Sequence, residues 1–284
     1  MARPSPAFQL IDAECGGPVV LSVPHAGRDY GARHRALLRP PAERLIALED
    51  RLIDALIDDP GAPAVIAQAP RSWIDLNRHE AEIDPGLVEG AVASRLMLTP
   101  KVRSGLGLIP RRLAGVGELW RGRLNIAEVE GRIAAVHRPY HATLSGLLRD
   151  ASATCGIAIL VDLHSMPPLV PQGDSDAPQV VIGNRFGQSA APWITARIGA
   201  TCSRFGLRWR ENSPYAGGHI AERHGAPGKG IHAVQLELDR SLYLGATLEE
   251  CDPEGLAFCR RFLRELIADL GTAAIDSVLP LAAE

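Results

Sequence analysis

The chain lacks the cysteine patterns that mark disulfide-rich proteins and thiol-ligated metal sites. Its five cysteines form no CxxC pair, and their odd number argues against a secreted framework of disulfides. The N-terminal stretch MARPSPAFQLID has no apolar core of a signal peptide, and no apolar run approaches the length of a membrane span. We therefore expect a cytoplasmic protein that makes no membrane contact.

Basic clusters and nucleotide-binding motifs are missing as well. The formal net charge is −3 and the lysines and arginines are scattered, so we expect no nucleic-acid partner. No P-loop or dinucleotide-binding glycine motif follows a strand-like segment, and Ser165 lies outside any G-x-S-x-G motif, which disfavours a serine hydrolase. The apolar content of 46 % is enough to bury a substantial core.

The hydrophobic pattern alternates between strand-like and helix-like segments. The predicted strands are 18–23, 62–69, 72–77, 157–164, 179–183 and 232–239, and the predicted helices are 41–59, 125–154, 188–205 and 253–270. Near-continuous apolar strands between helices indicate an α/β protein with three layers, α/β/α, around a central mixed, mostly parallel sheet. No break in composition divides the chain, so we predict one domain over residues 1–284.

Two segments look irregular. Residues 84–123 are rich in glycine, proline and arginine and show no clear periodicity, which is typical of a functional loop or lid, and we predict an active-site loop there. Residues 216–230 form a predicted glycine-rich loop that contains His219 and Arg223. These two residues either help to hold a substrate or lie on the surface of the loop.

Two strand-like runs each end in a histidine. His25 follows the run PVVLSV and His164 ends the run IAILVDLH, and in open α/β sheets sites form beyond the carboxyl ends of the strands. The two imidazoles either cap the sheet through backbone hydrogen bonds or bind a metal ion. Two histidines and a carboxylate, with one position open to water, are the ligands of a catalytic zinc ion, and Asp50 is a candidate for the carboxylate.

Polar residues near two other predicted strand ends extend the candidate site. The stretch PRSWIDLNRHE contains Arg71, Asn77 and Arg78, and a guanidinium beside an amide suits a substrate carboxylate, although any single arginine also fits a solvated surface. Glu237 in VQLELD lies on the face opposite the apolar residues of its strand. It is either a solvent-facing residue or the base that activates a metal-bound water.

Eight short motifs together resemble the N-formylglutamate amidohydrolase family. In chain order they are SVPHAG, LEDRLID, IDLNR, GLIPRR, RPYH, VDLHS, GGHIAERHG and HAVQLELDRSLY, and they extend from about residue 18 to residue 244. The resemblance implies a phosphorylase/hydrolase-like α/β/α fold, related to zinc carboxypeptidases and aspartoacylase. It also implies cleavage of N-formyl-L-glutamate to glutamate and formate.

The resemblance assigns roles to individual residues. The implied metal ligands are His25, the acid of the LED motif and His164. Glu237 is the implied general acid/base, and Arg71 resembles an arginine that polarises the scissile carbonyl. Asn77 and Arg78 then grip the α-carboxylate of the substrate.

This chain departs from the family pattern at two positions. Family members often have Thr-Asp where this chain has Glu49-Asp50; the motif favours Asp50, whereas a helical projection places Glu49 nearer the middle of the apolar face. We predict Asp50 as the ligand. His219 stands where a tyrosine is common in members assigned to histidine breakdown, which loosens the inference about the substrate.

The sequence therefore supports three hypotheses. The first is a zinc-dependent amidohydrolase with one zinc ion per chain, acting on a small anionic N-acyl amino acid, with N-formyl-L-glutamate as the leading substrate. The second keeps the zinc but takes another N-acyl amino acid or peptide-like amide. The third is a non-catalytic protein of the same fold that binds an anionic ligand.

Overall fold

A computed structural model describes residues 6–12, 16–171 and 176–278 of the chain. The strands are β1 (Phe8–Ile11), β2 (Val19–Val23), β3 (Ala64–Ala67), β4 (Val88–Glu89), β5 (Arg112–Leu113), β6 (Gly117–Glu118), β7 (Leu124–Asn125), β8 (Ala158–Met166), β9 (Val180–Gly183), β10 (Trp209–Glu211) and β11 (Ile231–Asp239). The helices are α1 (Ala32–Leu37), α2 (Pro100–Arg103), α3 (Ile126–Arg132), α4 (Arg138–Cys155), α5 (Pro192–Arg204), α6 (His219–His224) and α7 (Pro253–Val278). No helix within the described residues is both long and apolar enough to cross a membrane.

Seven strands form one mixed sheet in the order β1-β3-β2-β8-β11-β9-β10. The central strands β2, β8 and β11 are parallel, β9 runs antiparallel to β11, and β10 is parallel to β9. Every residue of β2 and β8 is buried, which explains why their sequences are near-continuous apolar runs. The predicted α/β class with a mixed, mostly parallel sheet is confirmed, and the three-layer arrangement stays a prediction.

The backbone divides into two units. The first contains the described residues of Met1–Gln9, Pro24–Asp50 and Ile66–Thr143, and the second contains those of Leu10–Val23, Arg51–Val65 and Leu144–Glu284. In the first unit, segment 84–123 holds only the short elements β4, β5, β6 and α2 and one 3₁₀ turn. The single domain over residues 1–284 and the active-site role of segment 84–123 stay predictions.

Two elements predicted from apolar spacing are wrong. The segment 41–59 is not an α-helix but two 3₁₀ turns, Ala42–Leu48 and Ile53–Leu56, and Leu52 between them has a φ of 55°. The segment 72–77 is not a strand, because Trp73 N–H donates to the Pro70 carbonyl and the Asp75 side chain accepts the Asn77 N–H. In both places hydrogen bonds to specific partners override the local pattern.

Two other predictions needed adjustment. The sequence predicts a helix over 125–154 that Pro139 kinks or breaks in two. Asn125 caps it, with its side chain accepting the Ala127 N–H at 2.8 Å, and the division into α3 and α4 occurs at a π-helical turn, Ile133–His137, just before Pro139. The glycine-rich segment 216–230 contains the helix α6 rather than a loop alone. The strands around 18–23, 62–69, 157–164, 179–183 and 232–239 form as predicted.

An aromatic cluster in the first unit surrounds the buried His34. The imidazole stacks on Tyr30 and on Trp120 and meets the edge of Trp73, with centroid distances of 5.4, 5.7 and 5.1 Å. The Arg132 guanidinium lies 3.5 Å from the centre of the Trp73 ring. Burial, followed by the positive charge of Arg132, lowers the pKa of His34 to about 4.

We expect this histidine to make the fold sensitive to acid. Because the pKa of His34 is lower in the folded chain than in the unfolded chain, protons bind preferentially to the unfolded state between about pH 6.5 and 4, and stability falls as the pH falls through that window. His34→Phe keeps the aromatic packing and removes the titration. Urea unfolding at pH 7 and at pH 4.5 measures the loss of unfolding free energy between the two pH values. This loss should be smaller in His34→Phe than in the wild type by roughly 2–3 kcal/mol.

His79→Gln, at an exposed position, is the control and should keep the acid sensitivity of the wild type. The same acid dependence in His34→Phe as in the wild type would contradict the prediction.

Candidate functional site

The carboxyl ends of β8 and β11 place four polar side chains on one face of the sheet. His164 lies beside Glu237 in the register of the two strands, and Asp162 lies beside Gln235. Residues two apart in a strand share a face, and so do register partners on parallel strands. The four side chains therefore form a two-by-two array, and all four are buried.

Asp162 determines which nitrogen of His164 carries the proton. Its Oδ2 lies 2.9 Å from Nε2 of His164, and its Oδ1 accepts the hydroxyl of Ser22 on β2 at 2.8 Å. An ionised carboxylate only accepts hydrogen bonds, so Nε2 is the protonated nitrogen. Nδ1 of His164 is then the nitrogen that is able to bind a metal ion.

Asp75 does the same for His25. Its Oδ1 lies 2.7 Å from Nε2 of His25 and accepts the Asn77 N–H at 2.9 Å, while its Oδ2 accepts Nε of Arg71 at 2.9 Å. Complete burial alone would raise the pKa of Asp75, but the positive charges of Arg71 and Arg78 and the hydrogen bond from His25 outweigh it and hold the pKa well below its usual value. The carboxylate is therefore ionised, and Nδ1 is the metal-binding nitrogen of His25.

The three predicted metal ligands are all buried: His25 and Asp50 in the first unit and His164 in the second. Nδ1 of His25 and Oδ2 of Asp50 are 3.6 Å apart, close to the separation of two ligands that each bind one zinc ion at about 2.1 Å. Two neutral imidazoles with oriented Nδ1 atoms and one carboxylate are a donor set that fits a divalent metal ion.

Glu49, the alternative acid, contacts a different group. Its Oε1 accepts the hydroxyl of Tyr30 at 2.8 Å, while the backbone N–H of the next residue, Asp50, donates to the carbonyl of His25 at 3.0 Å. The helical projection that placed Glu49 nearer the apolar face assumed an α-helix, and the 3₁₀ turn in this segment ends at Leu48.

The predicted substrate-binding residues of the first unit are tied down by hydrogen bonds. Arg78 is buried, and its Nε donates to the Leu106 carbonyl at 3.0 Å while its Nη1 donates to the Asn77 carbonyl at 2.7 Å. Asn77 is buried and Arg71 is partly buried. Neither arginine is the solvated surface residue that composition alone would allow.

Two fully buried histidines also hold this stretch of backbone. His137 Nε2 lies 2.9 Å from the Arg78 carbonyl, and His141 Nε2 lies 3.0 Å from the Leu76 carbonyl. A carbonyl only accepts, so both rings carry their proton on Nε2. The two bonds flank Asn77 and give both histidines a structural role.

The predicted residues of the second unit differ in exposure. Glu237 is buried and not solvent-facing, and its Oε1 accepts the side-chain amide of Gln235 at 2.8 Å. On α6, His219 is buried and Arg223 is exposed.

Sequence reasoning missed two residues, Asp75 and Gln235. Each stands two positions before a predicted functional residue, Asn77 or Glu237, and Asp162 stands in the same relation to His164. A polar residue two positions before a functional one, on the same face of a strand or in a tight turn, is the signal that could have found them.

Comparisons with known proteins agree on one family. Residues 17–244 match the family model described as N-formylglutamate amidohydrolase. An N-formylglutamate deformylase of Pseudomonas putida is 34 % identical over 241 residues, which cover 83 % of this chain and 84 % of that protein. An N-formylglutamate deformylase of Pseudomonas aeruginosa PAO1 is 31 % identical over 261 residues, with coverages of 89 % and 92 %.

Two solved structures have a similar fold. The crystal structure of an N-formylglutamate amidohydrolase from Ralstonia eutropha JMP134 superposes with a TM-score of 0.87 at 30 % identity, over 95 % of this chain and 99 % of that chain. A gene product of Agrobacterium tumefaciens superposes with a TM-score of 0.66 at 20 % identity, over 96 % of each chain, and supports the fold alone.

We expect the bond from His141 to the Leu76 carbonyl to contribute measurably to stability. His141→Leu removes the donor to a buried carbonyl, whereas His141→Gln keeps an amide N–H at a similar reach. Leaving a buried acceptor without its donor costs about 1–3 kcal/mol, so the Leu variant should be less stable than the Gln variant by that amount. Urea unfolding of both variants measures the difference, and equal stabilities would contradict the prediction.

Proposed function

Because this chain belongs to the N-formylglutamate amidohydrolase family, we propose that it hydrolyses the amide bond of N-formyl-L-glutamate, releasing L-glutamate and formate. The family resemblance predicted from the sequence motifs is confirmed. The observation that carries the proposal is the pairing of a buried carboxylate, Glu237, with a histidine of the candidate metal centre, His164, on adjacent strands. We also propose that the reaction takes place in the cytoplasm and belongs to histidine breakdown.

The metal ion that fits the donor set is zinc, one per chain. It would be held by Nδ1 of His25, a carboxylate oxygen of Asp50 and Nδ1 of His164, which leaves one coordination position for water or substrate. When bound, zinc polarises a carbonyl oxygen and lowers the pKa of water toward neutrality.

Glu237 is the proposed general base and acid. A water molecule attacks the formyl carbon, and the Glu237 carboxylate accepts the proton that the water loses. The C–N bond then breaks, and Glu237 returns this proton to the nitrogen of the departing glutamate. Burial of Glu237 beside His164 places the carboxylate at the carboxyl ends of the central strands, where substrate sites of α/β proteins form.

The arginines supply charge and orientation. Arg71 is anchored through Nε to Asp75, and we assign to its guanidinium the stabilisation of the negative charge that develops on the carbonyl oxygen. Asn77 and Arg78 bind the α-carboxylate of the substrate. His219 and Arg223 on α6 help to hold the remainder of the substrate.

Formate release from a panel of N-acyl amino acids tests the proposed function. The purified protein should release formate from N-formyl-L-glutamate, lose activity after treatment with a chelator and regain it with Zn²⁺. N-acetyl-L-glutamate tests the acyl group, and N-formyl-L-alanine tests the need for a side-chain carboxylate. Glu237→Gln should keep the metal and lose at least about 100-fold in kcat.

Other outcomes would favour the other hypotheses. Faster turnover of an N-acetyl or peptide-like amide would replace the substrate and keep the zinc. A thermal shift with N-formyl-L-glutamate and no turnover of any substrate would indicate a binding protein. Full activity in His164→Ala would contradict the metal centre.

We expect the Asp75 carboxylate to tune metal binding through His25. Asp75→Asn removes the negative charge that orients the imidazole, and loss of such a partner lowers metal affinity by about 10- to 100-fold. Titration of the metal-free protein with Zn²⁺ against a competing chelator measures the change.

Asp84→Asn is the matched control for Asp75→Asn. Asp84 also accepts a backbone N–H two residues on, from Gly86 at 2.7 Å, and Nε of an arginine, Arg111, at 2.7 Å. This variant should bind Zn²⁺ like the wild type. Equal affinities in both variants would contradict a role for Asp75 in metal binding.

A further inference from the structure

The side chain of Gln235 joins two parts of the second unit. Its Nε2 donates to Oε1 of Glu237 at 2.8 Å, and its Oε1 accepts the backbone N–H of Gly218 at 2.8 Å. The two partners fix the amide orientation independently, because a backbone N–H requires a carbonyl oxygen and a carboxylate requires an N–H. Gln235 is buried, so both bonds form away from bulk water.

Gly218 is the residue immediately before α6, and its neighbourhood is built for close contact. A Cβ atom at Gly183 would lie 2.6 Å from the Gly217 nitrogen and 2.7 Å from the Ala216 carbonyl carbon. Gly183 is also the register partner of Gln235 on β9. Only glycine at position 183 lets the chain before α6 approach the sheet where the Gln235 side chain reaches it.

The same i, i+2 relation occurs on the neighbouring strand. Asp162 orients His164 through a bond of 2.9 Å, and Gln235 contacts Glu237 through a bond of 2.8 Å, in matching register positions. On each strand the residue farther from the carboxyl end contacts the side chain of the residue nearer to it. The supporting groups differ because their partners differ. Asp162 supplies a carboxylate that accepts from the His164 imidazole, and Gln235 supplies an amide that donates to the Glu237 carboxylate.

We propose that Gln235 is a positioning residue for the hydrolytic reaction: it holds the Glu237 carboxylate in its working orientation and anchors that carboxylate to the chain entering α6. This inference rests on the proposed function of Glu237. Gln235 does not touch the reacting atoms, so its loss should affect turnover more than substrate binding.

Two variants separate the two hydrogen bonds. Gln235→Met is similar in size and removes both bonds. Gln235→Glu keeps an oxygen that accepts the Gly218 N–H and, assayed at about pH 9 so that the two neighbouring carboxyl groups do not share a proton, offers no donor to Glu237. If orientation of Glu237 is what matters, both variants should lose about 10- to 100-fold in kcat for N-formyl-L-glutamate, with KM and bound zinc within about threefold of the wild type.

The control is Gln179→Met. The Gln179 side chain also accepts a backbone N–H, from Arg208 at 3.3 Å. Gln179 directly precedes β9, the strand that neighbours β11 in the sheet. This variant should have a wild-type kcat. Urea unfolding of all three variants identifies any loss of activity that comes from loss of the fold.

Each outcome decides the proposal. Near wild-type kcat in Gln235→Glu with a loss in Gln235→Met would overturn it, because the anchor to Gly218 would then be the whole effect. Near wild-type kcat in both variants would overturn it as well. A wild-type protein that turns over none of the substrates contradicts the proposed function instead.

A crystal structure of Gln235→Met gives a readout that does not depend on turnover. We expect the Glu237 carboxylate to move by more than about 1 Å or to occupy two conformations, since the donor that holds a buried carboxylate is gone. A Glu237 side chain that keeps its position and a single conformation in this variant would overturn the positioning role.

Discussion

Everything at the candidate site depends on carboxylates that hold the Nε2 side of two histidines. Asp75 and Asp162 each accept a hydrogen bond from Nε2 of an imidazole. The Nδ1 of that imidazole is then unprotonated, and its lone pair is available to a metal ion. A fully buried charge such as that of Asp75 is costly unless other groups compensate it. Arg71, Arg78 and the Asn77 N–H supply that compensation. The residues proposed to bind the substrate are thus the same residues that keep Asp75, the carboxylate that orients His25, ionised.

This sharing explains why the motif IDLNR is so dense in function. Asp75 faces His25, the next polar residue contributes its backbone N–H to Asp75, and Arg78 braces the backbone through two carbonyls. The buried imidazoles of His137 and His141 add two more hydrogen bonds to the backbone of this motif. Side chains of this stretch are consequently hard to treat as independent contributors, because each one also holds its neighbour.

The sequence allowed the central strands to be predicted, together with the position of candidate polar residues near their carboxyl ends, because a buried parallel strand requires an apolar run and sites of α/β sheets form beyond the strand ends. Strands β2, β8 and β11 illustrate this, with His25, His164 and Glu237 at or beyond their carboxyl ends. The segments 41–59 and 72–77 were not predictable, because each contains a backbone N–H that bonds to a distant segment: Asp50 N–H donates to the His25 carbonyl and Asp75 N–H donates to the Leu108 carbonyl. Asp75 itself was missed since its partner His25 lies 50 positions away in the chain.

The two-residue period of a strand has a consequence for how this protein tolerates change. Asp162 and His164, like Gln235 and Glu237, work as pairs only because both members of each pair project from one face at matching heights. A single residue inserted between the two members of either pair would turn the later side chain to the opposite face and would separate it from its supporting group. Substitutions at these strands are graded in their effect, whereas insertions and deletions are all-or-none. The spacing of these strands is therefore as much a part of the site as the identity of its residues.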